Sequence, residues 1–204
     1  EDQSMRVKEF MNYELMNVMK EYDPDMDQLL FYLPLSGSAF KKIYYDGQLE
    51  RAVAKFVSGE DLVIDYFATD LESAQRVTHC IKMSGNELRK NQVSGFYSDI
   101  EVTTGTIDPS EVQEKVNELE GNEPSYTTDN DEHLILEMHV DLDLPGFEDP
   151  DGIKLPYIVT LDKYSEQVLS IRRNWDEVDQ TKKKKQYFVH FKFLPGLGFY
   201  GFGL

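Results

Sequence analysis

Three residues in the run "HLILEMHVDLDL" have the types and spacing to bind a cation. His133, Glu137 and His139 occupy alternate positions, so on an extended backbone they project to one face. A metal-dependent enzyme domain using these three is therefore one reading of the chain. Such a site needs three or four convergent ligands and a supporting second shell. The run also carries Asp141 and Asp143 on that face, alternating with Leu134, Leu136, Met138, Val140 and Leu142. This amphipathic alternation predicts a strand with its leucine face buried and its histidine face in water. No metal ligand is assigned.

Other candidates are weaker still. "FEDPDGIKLP" groups Glu148, Asp149 and Asp151 but lacks the oxygen spacing of a calcium-binding loop, so it reads as a solvated turn. With 38 Asp and Glu in the chain, some acid pair always looks catalytic, and nothing marks one as a raised acid beside an ionised partner. No nucleophile elbow, phosphate loop or dinucleotide fingerprint occurs. "GLGFYGFG" has glycines, but no helix follows them and bulky aromatics fill the positions a phosphate would approach. The remaining histidines are His79 and His190, and Arg172 and Arg173 lie upstream of the single basic run, Lys182 to Lys185. That run reads as a solvated connection, or as a contact to an acidic neighbour or a nucleic-acid backbone. No catalytic or cofactor-binding residue is assigned, no cofactor is expected, and the chain is not read as an enzyme.

The elements that position these residues follow from composition and period. The chain has 204 residues, 40 % of them hydrophobic and 12 % aromatic, enough for a buried core. Its net charge of -17 disfavours nucleic-acid or anionic-membrane binding by the surface as a whole. The single cysteine, Cys80, excludes an internal disulfide framework, fits a reducing compartment and reads as a small core residue of a strand. No run approaches the roughly twenty apolar residues of a membrane span, and no membrane partner is expected. A first residue Glu1 and a final apolar run read as a segment of a longer protein.

Val7, Met11, Leu15, Val18 and Tyr22, with Phe10 and Met19, predict a helix over 3–22 that ends at "YDPD". "DMDQLLFYLPLSGSAF" predicts a second helix, broken or kinked at Pro34. "FKKIYYD", "AVAKFV", "DLVIDYF" and "RVTHCIKM" predict strands, with Asp46-Gly47 as a turn. "SGNELRKNQVSGFY" predicts a short helix capped by Ser84, and "DPSEVQEKVNELEGN" a helix capped by Asp108 and stopped at Gly121. "YIVTLDKYSEQVLSIRRNW" predicts a hairpin bending at Asp162 to Glu166, and "YFVHFKF" a final strand. The expected class is α+β, N-terminal helices followed by mostly antiparallel strands. The expected divisions are a helical segment 1–48, a mixed β/α subdomain 49–121, a polar linker 122–132 and an antiparallel β subdomain 133–204.

Several long phrases together resemble the portal, or head-to-tail connector, protein of podovirus-type tailed bacteriophages. They are "EYDPDMDQLLFYLPLSGSAFKKIYYD", "RAVAKFVSGEDLVIDYFATDLESAQRVTHCIKM", "NELRKNQVSGFY", "ILEMHVDLDLPGFEDPDGIKLPYIVTLD", "VLSIRRNW" and "YFVHFKFLPGLGFYGFGL". The resemblance implies a wing-type domain from the N-terminal part of a non-enzymatic structural subunit. In that family about twelve copies form a ring at one capsid vertex. DNA passes through the ring without sequence recognition during packaging and ejection. Implied partners are other portal subunits, terminase, capsid or scaffold proteins and tail-adaptor proteins. The implied location is the portal vertex of the virion, and the host cytoplasm during assembly. On this reading "LPGLGFYGFGL" is the junction towards a stem, and its aromatics pack on the next domain or a neighbouring subunit.

Overall fold

The computed structural model describes residues 2–47, 49–103 and 132–204. Its elements match the expected α+β class, with helices first and antiparallel strands later. Helix α1 (Asp2–Tyr13) continues into a π-helical turn (Glu14–Val18), closed by the Met19 N–H donating to the Glu14 carbonyl at 2.9 Å. Helix α2 (Tyr22–Ser36) begins within the "YDPD" that the sequence suggested as a helix end. Pro24 falls in its first turn, where a backbone N–H has no helical acceptor anyway, and Asp23 and Asp25 suit the positive end of the helix dipole. Nor does Pro34 break α2. It removes one helical N–H, the donor to the Leu30 carbonyl, but the helix runs on for two residues to Ser36, and the stop is Gly37 in the left-handed region at φ 77°. The helix expected over Asp108 to Gly121 and linker residues 122–131 lie outside the described residues, and Glu132 opens a strand.

The chain forms two compact units, residues 1–77 with 175–204, and residues 78–174. In the first, β1 (Ser38–Asp46) and β2 (Arg51–Ser58) form a hairpin whose turn is held by Asp46 Oδ1 accepting the Leu49 N–H. The short β3 (Leu62–Ile64) follows, then β4 (Arg76–Ser84), which carries the chain into the second unit. The last strand, β8 (Phe188–Lys192), pairs antiparallel with β1, Phe40 opposite His190, giving the order β2-β1-β8. The C-terminal stretch thus joins the N-terminal helices, and 133–204 is not one continuous body. Phe40, Val57, Leu62, Leu71, Ala74, Val77, Phe188 and Phe199 make this unit's core. Helix α2 lies on β1 and β2, with Leu29 buried and Asp25 Oδ2 accepting the Phe56 N–H of the sheet edge at 2.7 Å.

In the second unit, α3 (Gly85–Val93) starts where expected, with Ser84 Oγ accepting the Glu87 N–H. β5 (Glu132–Leu142), β6 (Leu155–Asp162) and β7 (Val168–Arg173) form an antiparallel meander, in the order β4-β5-β6-β7. The hairpin β6–β7 bends at Asp162 to Glu166 as the sequence predicts. Met83, Leu88, Tyr97, Ile135 and Leu169 form the core here. Cys80 is a half-buried residue of β4 with no disulfide.

The glycine-rich tail is packed backbone to backbone against the α2–β1 junction. The Leu204 N–H donates to the Pro34 carbonyl at 2.7 Å, and Phe193 N–H to the Gly37 carbonyl at 3.0 Å. Leu194 and Phe202 bridge each other. A Cβ on Gly37 would collide with the carbonyl of Gly201, and one on Gly201 with the carbonyl of Gly37. Phe199 is a core residue of this same chain, and Tyr200 donates its hydroxyl to the Leu62 carbonyl. Leu197 and Leu204 remain fully outside. Gly37→Ala is expected to lower stability by about 3 kcal/mol or more, since it adds a backbone collision to the left-handed φ. Gly95→Ala, at a similar φ of 74° but facing open space, should cost only about 1 kcal/mol. Denaturant unfolding of the two variants checks this, and equal losses would mean that φ alone, not the contact, fixes Gly37.

Candidate functional site

The histidine face of β5 is the buried one, which reverses the sequence expectation. His133, Ile135, Glu137 and His139 point inward, while Leu134, Leu136, Met138 and Val140 are only half-buried. Glu137 and His139 are bonded to one another, which offsets their burial, whereas His133 Nδ1, Asp162 Oδ1 and Thr160 Oγ1 are buried with no hydrogen-bond partner. His139 Nε2 lies 2.9 Å from Glu137 Oε1, and His133 Nδ1 faces Asp162 Oδ1 at 3.5 Å. Asp162 is fully buried, and its Oδ2 accepts the Tyr164 N–H, the Ser165 N–H and the Ser165 hydroxyl, which closes the β6–β7 turn.

The register extends this polar face across the sheet. Thr160 stands opposite Glu137, Ser170 opposite Thr160, and Arg172 opposite Ile158, which itself faces His139. The Arg172 guanidinium lies over the Phe96 ring, 4.0 Å from its centre. Burial, with the nearby Glu137 charge adding to it, pushes the Tyr97 hydroxyl up to about 12, so it stays protonated throughout the ordinary pH range.

The three residues nominated as metal ligands therefore do not converge. His139 pairs with Glu137, His133 with Asp162, and the fully buried Ile135 sits between the two pairs on the strand. Among the described residues no group of three His, Cys, Asp or Glu side chains is placed to hold a metal ion. The signal for the pairing was available in the sequence, because Glu137 and His139 are same-face neighbours two residues apart. The partner of His133 was not, since Asp162 comes from another strand.

The acidic loop is a turn, as expected. Asp149 Oδ1 accepts the Asp151 N–H and Glu148 Oε2 the Gly146 N–H. Bonds from the backbone N–H groups of Glu148 itself and of Gly146 hold the Glu148 carboxyl below its ordinary range. In the basic connection, Lys184 Nζ donates to the Ala74 carbonyl at 2.6 Å, while Lys183 and Lys185 are exposed. Asp179 shapes this loop by accepting from Thr181 and the Lys183 N–H. No described helix is long and apolar enough to cross a membrane.

One pair with the chemistry of a nucleophile and its base escaped the sequence reading. Ser38 Oγ lies 3.1 Å from His190 Nε2 and accepts the Gly201 N–H at 2.7 Å. The hydroxyl can either give or take the proton in its bond to Nε2, according to the imidazole tautomer. The rings of Phe40 and Phe199 each stack on His190 with centres 4.5 Å away. Ser38 is 2 % exposed, which closes it to a substrate. The pair joins the tail to the first strand.

No protein-family model matches the chain, and no curated protein matches it.

Burial, and then the Lys192 charge, push the His190 pKa down to about 4. The folded value is below the ordinary one near 6.5, so the unfolded chain binds the proton more readily. The stability tied to this neutral histidine is complete above pH about 6.5 and drains away as pH falls towards 4. His190→Gln is expected to flatten the fall in urea midpoint between those limits relative to the parent chain. Parallel curves for the two proteins would show that His190 is not the titrating group.

Proposed function

We propose that the chain is the wing-type portion of a phage portal subunit, a structural ring component through which DNA enters and leaves the capsid. It acts with no catalytic chemistry of its own. Its partners are further portal subunits in a ring of about twelve, terminase, capsid or scaffold proteins, a tail adaptor, and DNA that passes without being read. It resides at the portal vertex of the virion, and in the host cytoplasm while heads assemble.

The observation that carries this reading is the placement of apolar surface. Helix α1 buries none of its residues, and Met5, Val7, Phe10, Met11 and Tyr13 are each more than half exposed. Phe31, Leu197 and Leu204 are exposed to a similar or greater degree elsewhere in the same unit. Large apolar side chains presented in groups belong to surfaces that meet other proteins. The polar groups with catalytic potential, by contrast, are spent on one another in the interior. Assembly is what such a distribution serves, and the resemblance to portal proteins gives the assembly its form.

Negative-stain imaging of the protein expressed from its complete reading frame tests the proposal. Closed rings with a central opening are expected. A compact monomer at high concentration would remove the portal reading.

A further inference from the structure

Two separate apolar faces of the first unit lack a cover among the described helices and strands. On α1, Val7, Phe10 and Met11 follow at helical spacing, and Arg6 and Lys8 border this stripe on its two sides. Beyond the π-helical turn that continues it, α1 has no extensive packing partner among the described elements. On α2, Leu30, Phe31 and Leu35 point outward with exposures of 59 %, 76 % and 65 %. The exposed Leu204 adjoins this face through its bond to the Pro34 carbonyl. The first turns of α2 carry Asp23, Asp25 and Asp27, and the helix has no Lys or Arg.

Charge selects how these faces meet. Each copy carries a net charge of -17, so copies repel unless the contact itself is complementary. Pairing α2 with α2 would set aspartates against aspartates, whereas α1, where Arg6 and Lys8 balance Asp2 and Glu9 and Arg6 lies 3.8 Å from Asp2, has no net charge to oppose a partner helix. Pairing α1 with α2 brings a basic-edged apolar stripe to an acidic-ended apolar face. We infer that α1 of one copy docks along the outer face of α2 on the next copy, Val7, Phe10 and Met11 against Leu30, Phe31 and Leu35. The contact is heterologous, because each copy offers one face and receives the other, and such contacts propagate into rings or filaments. A helix pair of this length covers less than the roughly 800 Å² per partner of a standard interface, so alone it is weak and concentration-dependent. The inference rests on the assembly reading above and names the surfaces that would carry it.

Two double variants at exposed positions test it, Phe10→Glu with Met11→Glu, and Phe31→Glu with Leu35→Glu. Sedimentation velocity on the intact chain should show each variant associating at least about tenfold more weakly than the parent, with an unchanged circular-dichroism spectrum. Mixed together, they should form a one-to-one heterodimer, because one keeps its α2 face and the other its α1 stripe. Disulfide trapping covers a weak contact: in a Cys80→Ser background, chains with Met11→Cys should cross-link to chains with Leu35→Cys. Undiminished association of both variants, a mixture that stays monomeric, or no cross-link would each overturn the inference. Rings of the full-length protein that survive Phe10→Glu with Met11→Glu would overturn this contact while leaving the portal reading intact. Heterodimers from a protein that never closes into rings would do the opposite.

Discussion

The first unit depends on one close approach, the backbone of Gly37 against that of Gly201. This contact brings the C-terminal segment to the point where α2 gives way to β1, although 163 residues separate Ser38 from Gly201. Closing a chain loop of that order costs several kcal/mol of entropy, so a single bond would not hold it. The closure is instead made several times over. Leu204 bonds to Pro34, Phe193 to Gly37, Gly201 to Ser38, and Tyr200 to Leu62, while Phe199 enters the core. The glycines are required because any side chain at the contact would separate the two backbones and loosen all of these bonds together.

The second unit solves a different problem, an interior that contains ionisable groups. A buried histidine or carboxylate without a partner is costly, whereas a bonded pair costs far less. Glu137 and His139 answer each other along β5, and Asp162 serves both the β6–β7 turn and the approach to His133. Replacing either member of such a pair strands the other, so these residues are constrained by packing alone as tightly as a catalytic set would be. Residue type and spacing alone could not separate those two origins of constraint. Geometry does, since the donors point to one another and not to a common centre.

The local grammar of the chain was readable in the sequence wherever the determinant was local. Ser84 as a cap, Asp46-Gly47 as a turn, the bend after Asp162 and the strands themselves needed no distant information. The first error came from a local rule with two outcomes: Pro24 is excluded from a helix interior but welcome in a first turn, and α2 uses the second option. The larger error, the inverted face of β5, arose because the usual ranking puts leucine inside and histidine outside, whereas here the leucines are half-buried and the histidines buried, His139 bonded to Glu137 and His133 facing Asp162. The pairing of β8 with β1 and the Ser38–His190 bond lie beyond sequence patterning, because nothing near either residue announces a partner so far along the chain.

These constraints explain where apolar surface was left over. In the first unit the tail, β1 and α2 are committed to one another on their inner sides, which consumes Leu29, Phe40 and Phe199. What remains outward on α2 is Leu30, Phe31 and Leu35, residues that local packing does not need. The same holds more strongly for α1, where no residue is buried and the stripe of Val7, Phe10 and Met11 contributes nothing to its own unit. An acidic chain has ample polar residues with which to cover a helix, and its use of Met, Phe and Val there instead is a cost in solubility with no return inside one copy. A contact between copies is the return that the assembly proposal assigns to α1.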